Sequence, residues 1–285
     1  MQRVFYIHQH YNDPIFQQGG TRSHEFAKRL AVNNYEVIVI ASDKKNIFRI
    51  PKIINTNYGY KVIRFFTPYS NNFPYILRSI FFAFFSIQAT IYLLLKSTKK
   101  DIVFASSTPL TVGIPAIFSK LIKGNKYIFE VRDLWPEMPI ALGIIKSNFL
   151  KFILFKMEEI IYLYSDHIIF LSDDMAKTSF FKYPKIKNKI SIIENSCDPY
   201  FIKKEISNFK LDNLNFAYFG SLGILYNIDY WIGFFKILVF VYGLKRIQFD
   251  IYGSGKTFKD IEKKISANKL NYNIKLKGTL TKSET

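Results

Sequence analysis

The chain has 285 residues, 49% hydrophobic and 18% aromatic, enough to bury the cores of about two domains, which excludes an intrinsically disordered protein. A formal net charge of +18 favours polyanionic partners such as lipid headgroups or pyrophosphate-bearing substrates, and it also fits a Lys- and Asn-rich composition spread over solvated faces. The single cysteine, Cys197, excludes a disulfide framework and a thiolate cluster, and the four histidines lack metal-ligand spacing, so no metal is expected.

The opening MQRVFYIHQH reads as a strand at 4–8, too short and too polar for a signal peptide. Further strands are predicted at 36–41, 61–65, 102–105, 127–131, 167–171 and 190–193, alternating with helical patterns as βαβ units of a parallel sheet do. A second series follows, with strands at 215–219, 248–252 and 274–277 and helices at 228–241 and 257–267. Between the two, 195–213 is polar, contains Pro199 and shows no apolar period, which marks a linker. The expectation is an α/β protein with Rossmann-like domains in tandem, 1–194 and 214–285. The second is short of the roughly 120–150 residues that a doubly wound domain needs. Its sheet is therefore expected to be incomplete, either because the sequence is cropped or because a partner completes it.

Residues 76–95, ILRSIFFAFFSIQATIYLLL, are long enough to span a bilayer. Ser79, Ser86 and Thr90 nevertheless share one helical stripe, with Arg78 near the start and Gln88 on another face. That pattern suits a helix buried between sheet and surface, or one lying in the lipid interface, better than a span.

Three places carry chemistry. In the turn before the first predicted helix, Gly19 and Gly20 allow close approach of a ligand to the backbone, and a helix opening near Thr21 points amides and a positive dipole end at an anion. A plain helix-capping turn is the blander reading, and the GxGxxG of a dinucleotide site is missing. In EVRDLWPEMPIALG, residues 130–143, Arg132, Asp133 and Glu137 crowd against Trp135 at the carboxyl end of a strand, where open α/β sheets bind ligands. Trp135 offers a stacking face, while Asp133 and Glu137 can accept from sugar hydroxyls or take an acceptor proton; a salt-bridged turn is the alternative. Finally, YFGSLG (218–223) and IYGSGK (251–256) are strand-glycine-helix turns of the kind that cradle phosphates, with Ser221, Ser254 and Lys256 as further donors.

In their order, GGTRSHE, VRDLWPE, FLSDDMAK, ENSCDPYF, YFGSLG, IYGSG and KGTL resemble the family 4 retaining glycosyltransferases, in particular the WbuB-like bacterial branch that makes O-antigen and capsule polysaccharide. The resemblance runs from Arg3 to about Thr285 and implies a GT-B-type fold whose second domain is cut short. It implies an acceptor-binding first domain and a nucleotide-sugar-binding second domain, with a UDP-sugar as co-substrate and no cofactor or metal. The acceptor would be a lipid-linked sugar, and the enzyme would sit in the cytoplasm at the inner face of the membrane, against anionic lipid. Nucleic acid is not an expected partner, because charge is its sole support and no binding motif accompanies it.

Carried over by resemblance, Gly19 and Gly20 lie beneath the donor phosphate and sugar, and Asp133 and Glu137 contact acceptor or sugar. Gly220, Ser221 and Gly223 face the pyrophosphate, and Gly253 and Gly255 support the nucleotide cleft. Three departures stand out. The hinge reads Glu194, Asn195, Ser196 where relatives have Pro-Asn-Gly, and Ile224, Leu225 and Tyr226 stand where relatives supply Arg or Lys. The pair of glutamates that relatives carry later in the second domain is not reached, so a product ending at Thr285 is expected to be crippled, an inactive remnant.

Overall fold

The computed structural model describes residues 1–12, 22–44, 51–70, 73–196, 214–223, 228–255 and 257–280. These fall into two compact units, one ending at Ser196 and the other beginning, among the described residues, at Leu214.

The first unit is built on eight strands: β1 (Gln2–Ile7), β2 (Tyr35–Asp43), β3 (Lys52–Asn55), β4 (Lys61–Phe66), β5 (Ile102–Ser106), β6 (Lys126–Val131), β7 (His167–Phe170) and β8 (Ile190–Ile192). They form one sheet in the order β3-β4-β2-β1-β5-β6-β7-β8. Every neighbouring pair is parallel except β3 with β4. Continuous apolar runs such as Val37 to Ala41 are buried because both faces of a parallel sheet are covered. The two-residue period sorts them: Phe5, Ile7, Ile38 and Ile40 enter one core cluster, and Val4, Tyr6, Val37 and Val39 the other.

Helix α1 (Arg22–Val32) packs Ala27 into the second cluster. Into the first go the inner faces of α2 (Tyr75–Lys96), α3 (Gly113–Lys123), α5 (Asn148–Tyr164) and α6 (Asp173–Lys182); the single-turn α4 (Glu137–Ala141) lies between α3 and α5 in the chain. Local chemistry sets the ends. Gly124 closes α3 at φ 73°, a left-handed position suited to glycine, and the side chains of Ser147 and Ser172 accept from Leu150 and Met175 to cap α5 and α6.

The predicted strands all form. Strand β3 went unpredicted: it is four residues long, exposes Ile53, and pairs antiparallel on the edge, where no apolar alternation is required. The polar stripe on α2 divides. Ser86 is buried and donates to the Thr111 carbonyl, Thr90 donates back to Ser86, and Ser79 is exposed.

The second unit has three parallel strands, β9 (Asn215–Phe219), β10 (Gln248–Tyr252) and β11 (Ile274–Gly278), in the order β11-β10-β9, with α7 (Ile228–Phe240) and α8 (Phe258–Ala267). Phe235 stacks on Phe249 at 4.8 Å within a core that also holds Leu222, Ile251 and Ile261.

Candidate functional site

In the first unit, β1, β5 and β6 run parallel, so their carboxyl ends reach one edge together. This edge is polar. Glu130, second from the end of β6, is fully buried; its Oε1 accepts from Arg22 Nε at 2.8 Å and its Oε2 from the Ser106 hydroxyl at the end of β5. Arg22 opens α1 and spends its remaining donors on the carbonyls of Ile193 (2.7 Å) and Glu194 (2.9 Å) and on Asn195 Oδ1 (3.2 Å), with its plane over the Phe26 ring. One guanidinium thus joins the start of α1, the end of β6 and the segment that leaves the sheet.

A second chain of bonds runs alongside. Arg132 Nη1 lies 3.2 Å from His8 Nε2, and Ser23 Oγ lies 2.8 Å from His8 Nδ1. A guanidinium only donates, so Nε2 is the acceptor and the proton sits on Nδ1, bonded to Ser23. Burial, with Arg132 and His10 nearby, holds His8 well below the ordinary histidine value and keeps the ring neutral. The Arg132 amide donates to Ser107 Oγ at 2.9 Å, which ties the loop after β6 to the end of β5.

Asp133 follows on that loop. It is exposed at the strand ends, and its Oδ2 accepts from Thr108 Oγ1 at 3.0 Å. Glu137 is placed differently: it opens α4 and pairs with Lys182 of α6, whose Nζ also lies 2.5 Å from Glu158 on α5. Glu158 is buried and takes a further 2.8 Å hydrogen bond from Tyr183; burial pushes its carboxyl up, against the pull of Lys182. Glu137 is therefore part of a clamp between three helices, while Asp133 faces out. Trp135 is half-buried against the core, its ring spent on packing. Gly19 and Gly20 lie outside the described residues.

In the second unit the glycine turns after β9 and β10 lie against each other. The Gly220 amide donates to the Tyr252 carbonyl at 3.0 Å and the Leu222 amide to Ser254 at 2.9 Å, while the Gly253 amide donates to Gly278 at 2.7 Å. A Cβ on Gly253 would stand 1.9 Å from the Gly220 carbonyl oxygen, and one on Gly255 would stand 1.9 Å from that of Leu222, so both must be glycine for the turns to meet. Gly223 has open space where its Cβ would be, and Ser221 is exposed. With the Gly220 and Leu222 amides engaged, Ser221, exposed, and Gly223, with open space beside it, are the positions this turn leaves accessible. The residues that replace the expected Arg or Lys, 224–226, and Lys256 lie outside the described set. A groove of about 400 Å³ between α8 and β11, lined by Glu262, Asn271 and Lys275 among others, touches none of the predicted site residues. The glycine turns, at strand carboxyl ends, are the better ligand position.

Sequence reasoning named Asp133 and the glycines but not the Arg22–Glu130 pair. A lone carboxylate inside the buried strand KYIFEV was the available signal, since such a charge needs a partner.

Residues 19–201, well over half of the chain, match the family model described as Glycosyltransferase Family 4. No curated protein matches. Among solved structures, sucrose-phosphate synthase from Thermosynechococcus elongatus is similar at TM-score 0.70 and 12% identity, over 99% of this chain and 71% of that one. Anabaena HepE in complex with UDP-glucose is similar at 0.60 and 14%, over 98% and 70%. The lipopolysaccharide outer core galactosyltransferase WaaB is similar at 0.56 and 16%, over 100% and 70%.

Proposed function

The chain belongs to glycosyltransferase family 4 and has the α/β, GT-B-type fold, and on that footing we propose that it moves a sugar, with retention of configuration, from a UDP-sugar to a lipid-linked glycan in bacterial surface polysaccharide synthesis, of the O-antigen or capsule kind. The domain read from the sequence at 1–194 binds the acceptor, 195–213 is the hinge, and 214–285 binds the nucleotide-sugar. The enzyme works on the cytoplasmic face of the membrane.

The observation that carries this reading is the pair of interlocked glycine turns at the carboxyl ends of β9 and β10, which leaves Ser221 exposed and Gly223 with open space beside it for a pyrophosphate. Support for UDP comes from HepE, whose structure holds UDP-glucose, and support for an envelope glycan comes from WaaB. Asp133 is the acceptor or sugar contact, held by Thr108 at the edge of the first sheet. Glu137 acts through structure, fixing α4 and with it the loop that carries Asp133. In the transfer, the bond from the anomeric carbon to the β-phosphate oxygen breaks, the acceptor oxygen bonds to that carbon on the same face, and the acceptor proton leaves with the UDP phosphate.

The test is UDP release from a panel of UDP-hexoses in the presence of polyprenyl-diphosphate-linked monosaccharides, using a form that extends through the glutamate pair the relatives carry. Acceptor-dependent release with retained configuration is expected. Failure to bind UDP in titration calorimetry would overturn the reading.

A further inference from the structure

Helices α2, α3 and α5 cover one face of the first sheet, and their outer sides are apolar. Of α2, the most apolar window is 22% buried, at a mean hydropathy of 1.6. The buried contacts are a narrow stripe, Phe85, Ala89 and Leu93, and the opposite stripe of Ile80, Phe84, Ile87, Ile91 and Leu95 is exposed. Those five positions follow one another at steps of three and four, so they form one continuous ridge along the helix. Next to α2, α3 exposes Leu121 and Ile122 to about the same degree, 60% each. On α5, beyond α3, Phe149, Phe152 and Ile160 continue the same outward pattern.

We propose that the outer faces of α2, α3 and α5 together form a lipid-binding platform that lies in the headgroup and acyl boundary of an anionic bilayer, with α2 parallel to the surface and not across it. The inference deepens the membrane-surface reading above and rests on it for its biological setting. Charge selects the occupant. Between Tyr75 and Phe129 the sole carboxylate is Asp101, which is paired with Arg3 at 2.7 Å, whereas seven basic residues occur there. Lys96, Lys99, Lys100 and Lys126 are exposed where α2 ends and β5 and β6 begin, at the rim of the apolar face. A second copy of a chain with net charge +18 would bring like charges together, while anionic headgroups meet the rim and acyl chains meet the ridge. Spanning is disfavoured because Phe85, Ala89 and Leu93 would have to leave the core they share with α3 and the sheet.

Flotation of the full chain with vesicles tests this. Binding is expected to phosphatidylcholine vesicles that contain roughly one-third phosphatidylglycerol, and to be far weaker without it. Exchanging Lys96, Lys99 and Lys100 together for Gln should weaken binding to the anionic vesicles roughly a hundredfold, at about fivefold for each charge. Ile91→Glu and Phe152→Glu should each weaken it roughly tenfold or more. The lysine exchange keeps the experiment decisive if either glutamate variant fails to fold. Wild-type chain that stays unbound on both vesicles overturns the proposal. So does normal binding by Phe152→Glu, which would make α2 the sole anchor, and so does resistance to alkaline carbonate extraction, which would make α2 a span. Dimers that Ile91→Glu dissociates, without flotation, would assign the face to self-association. Sugar transfer to a water-soluble acceptor is measured separately, so a wild-type chain that transfers sugar but binds neither vesicle overturns the platform and leaves the transferase standing.

Discussion

Exchange of Arg22 for Met strips the counter-charge from Glu130 while keeping most of the aliphatic stem in place. Glu130 is fully buried and Arg22 about one-tenth exposed, so this is an interior ion pair and is not discounted as a surface one. After the exchange, Glu130 keeps the Ser106 hydroxyl alone, and the carbonyls of Ile193 and Glu194 lose their donor. Removing one member of a buried pair costs about 3–5 kcal/mol, chiefly from the uncompensated charge left behind. Removing both with apolar residues of similar volume is near neutral, so the double variant R22M/E130M should recover most of the loss, with a coupling of about 3 kcal/mol. Urea unfolding followed by tryptophan fluorescence measures this. Trp135 lies in the first unit and Trp231 in the second, so a Trp231→Phe background makes the signal report the first unit alone. A loss below about 1 kcal/mol for R22M, or a double variant as unstable as the single one, would refute the reasoning.

Gly253→Ala and Gly255→Ala should each destabilise the second unit by about 3 kcal/mol or more, because a backbone carbonyl blocks the new Cβ, while Gly223→Ala should change its melting temperature little; circular dichroism on the three variants checks this contrast. Asp133→Ala is expected to lower turnover by roughly a hundredfold or more with stability within about 0.5 kcal/mol, since its bond to Thr108 is exposed, and Glu137→Gln to change stability in place of chemistry; UDP release and thermal unfolding separate the two. Burial holds His10 down to about 4, with Lys44 and Arg78 adding to it, against 6.5 for the free side chain. Between those values the unfolded chain binds a proton that the native one does not, so stability rises with pH through the window and is lost as pH falls; unfolding curves for His10→Asn should show a flatter slope there.

How legible the protein was depends on the range of the interaction concerned. Strand runs and their alternation with helices follow from spacing along the chain, because a two-residue or 3.6-residue period decides which side chains face a core. Asp133 at a strand end and the glycine turns were readable for the same reason: they mark where parallel strands stop. The edge strand β3 was not, since a half-exposed edge imposes no pattern on four residues.

The remaining features were decided by contacts between distant segments. Arg22 and Glu130 are 108 positions apart, and nothing local to either residue names the other. Glu137 reads as chemically available beside Asp133, until Lys182 arrives from α6 to hold it. Gly253 and Gly255 read as supports of a nucleotide cleft, and tertiary structure supplies the carbonyls that stand where their Cβ atoms would be. For α2, length and composition establish an apolar helix of 22 residues, but which stripe meets the sheet and which stays outside is settled by packing. The sequence by itself determines periodicities, and so the elements and their order; tertiary structure alone chooses partners for buried charges and crowded backbones, because desolvation and steric exclusion act through space and not along the chain.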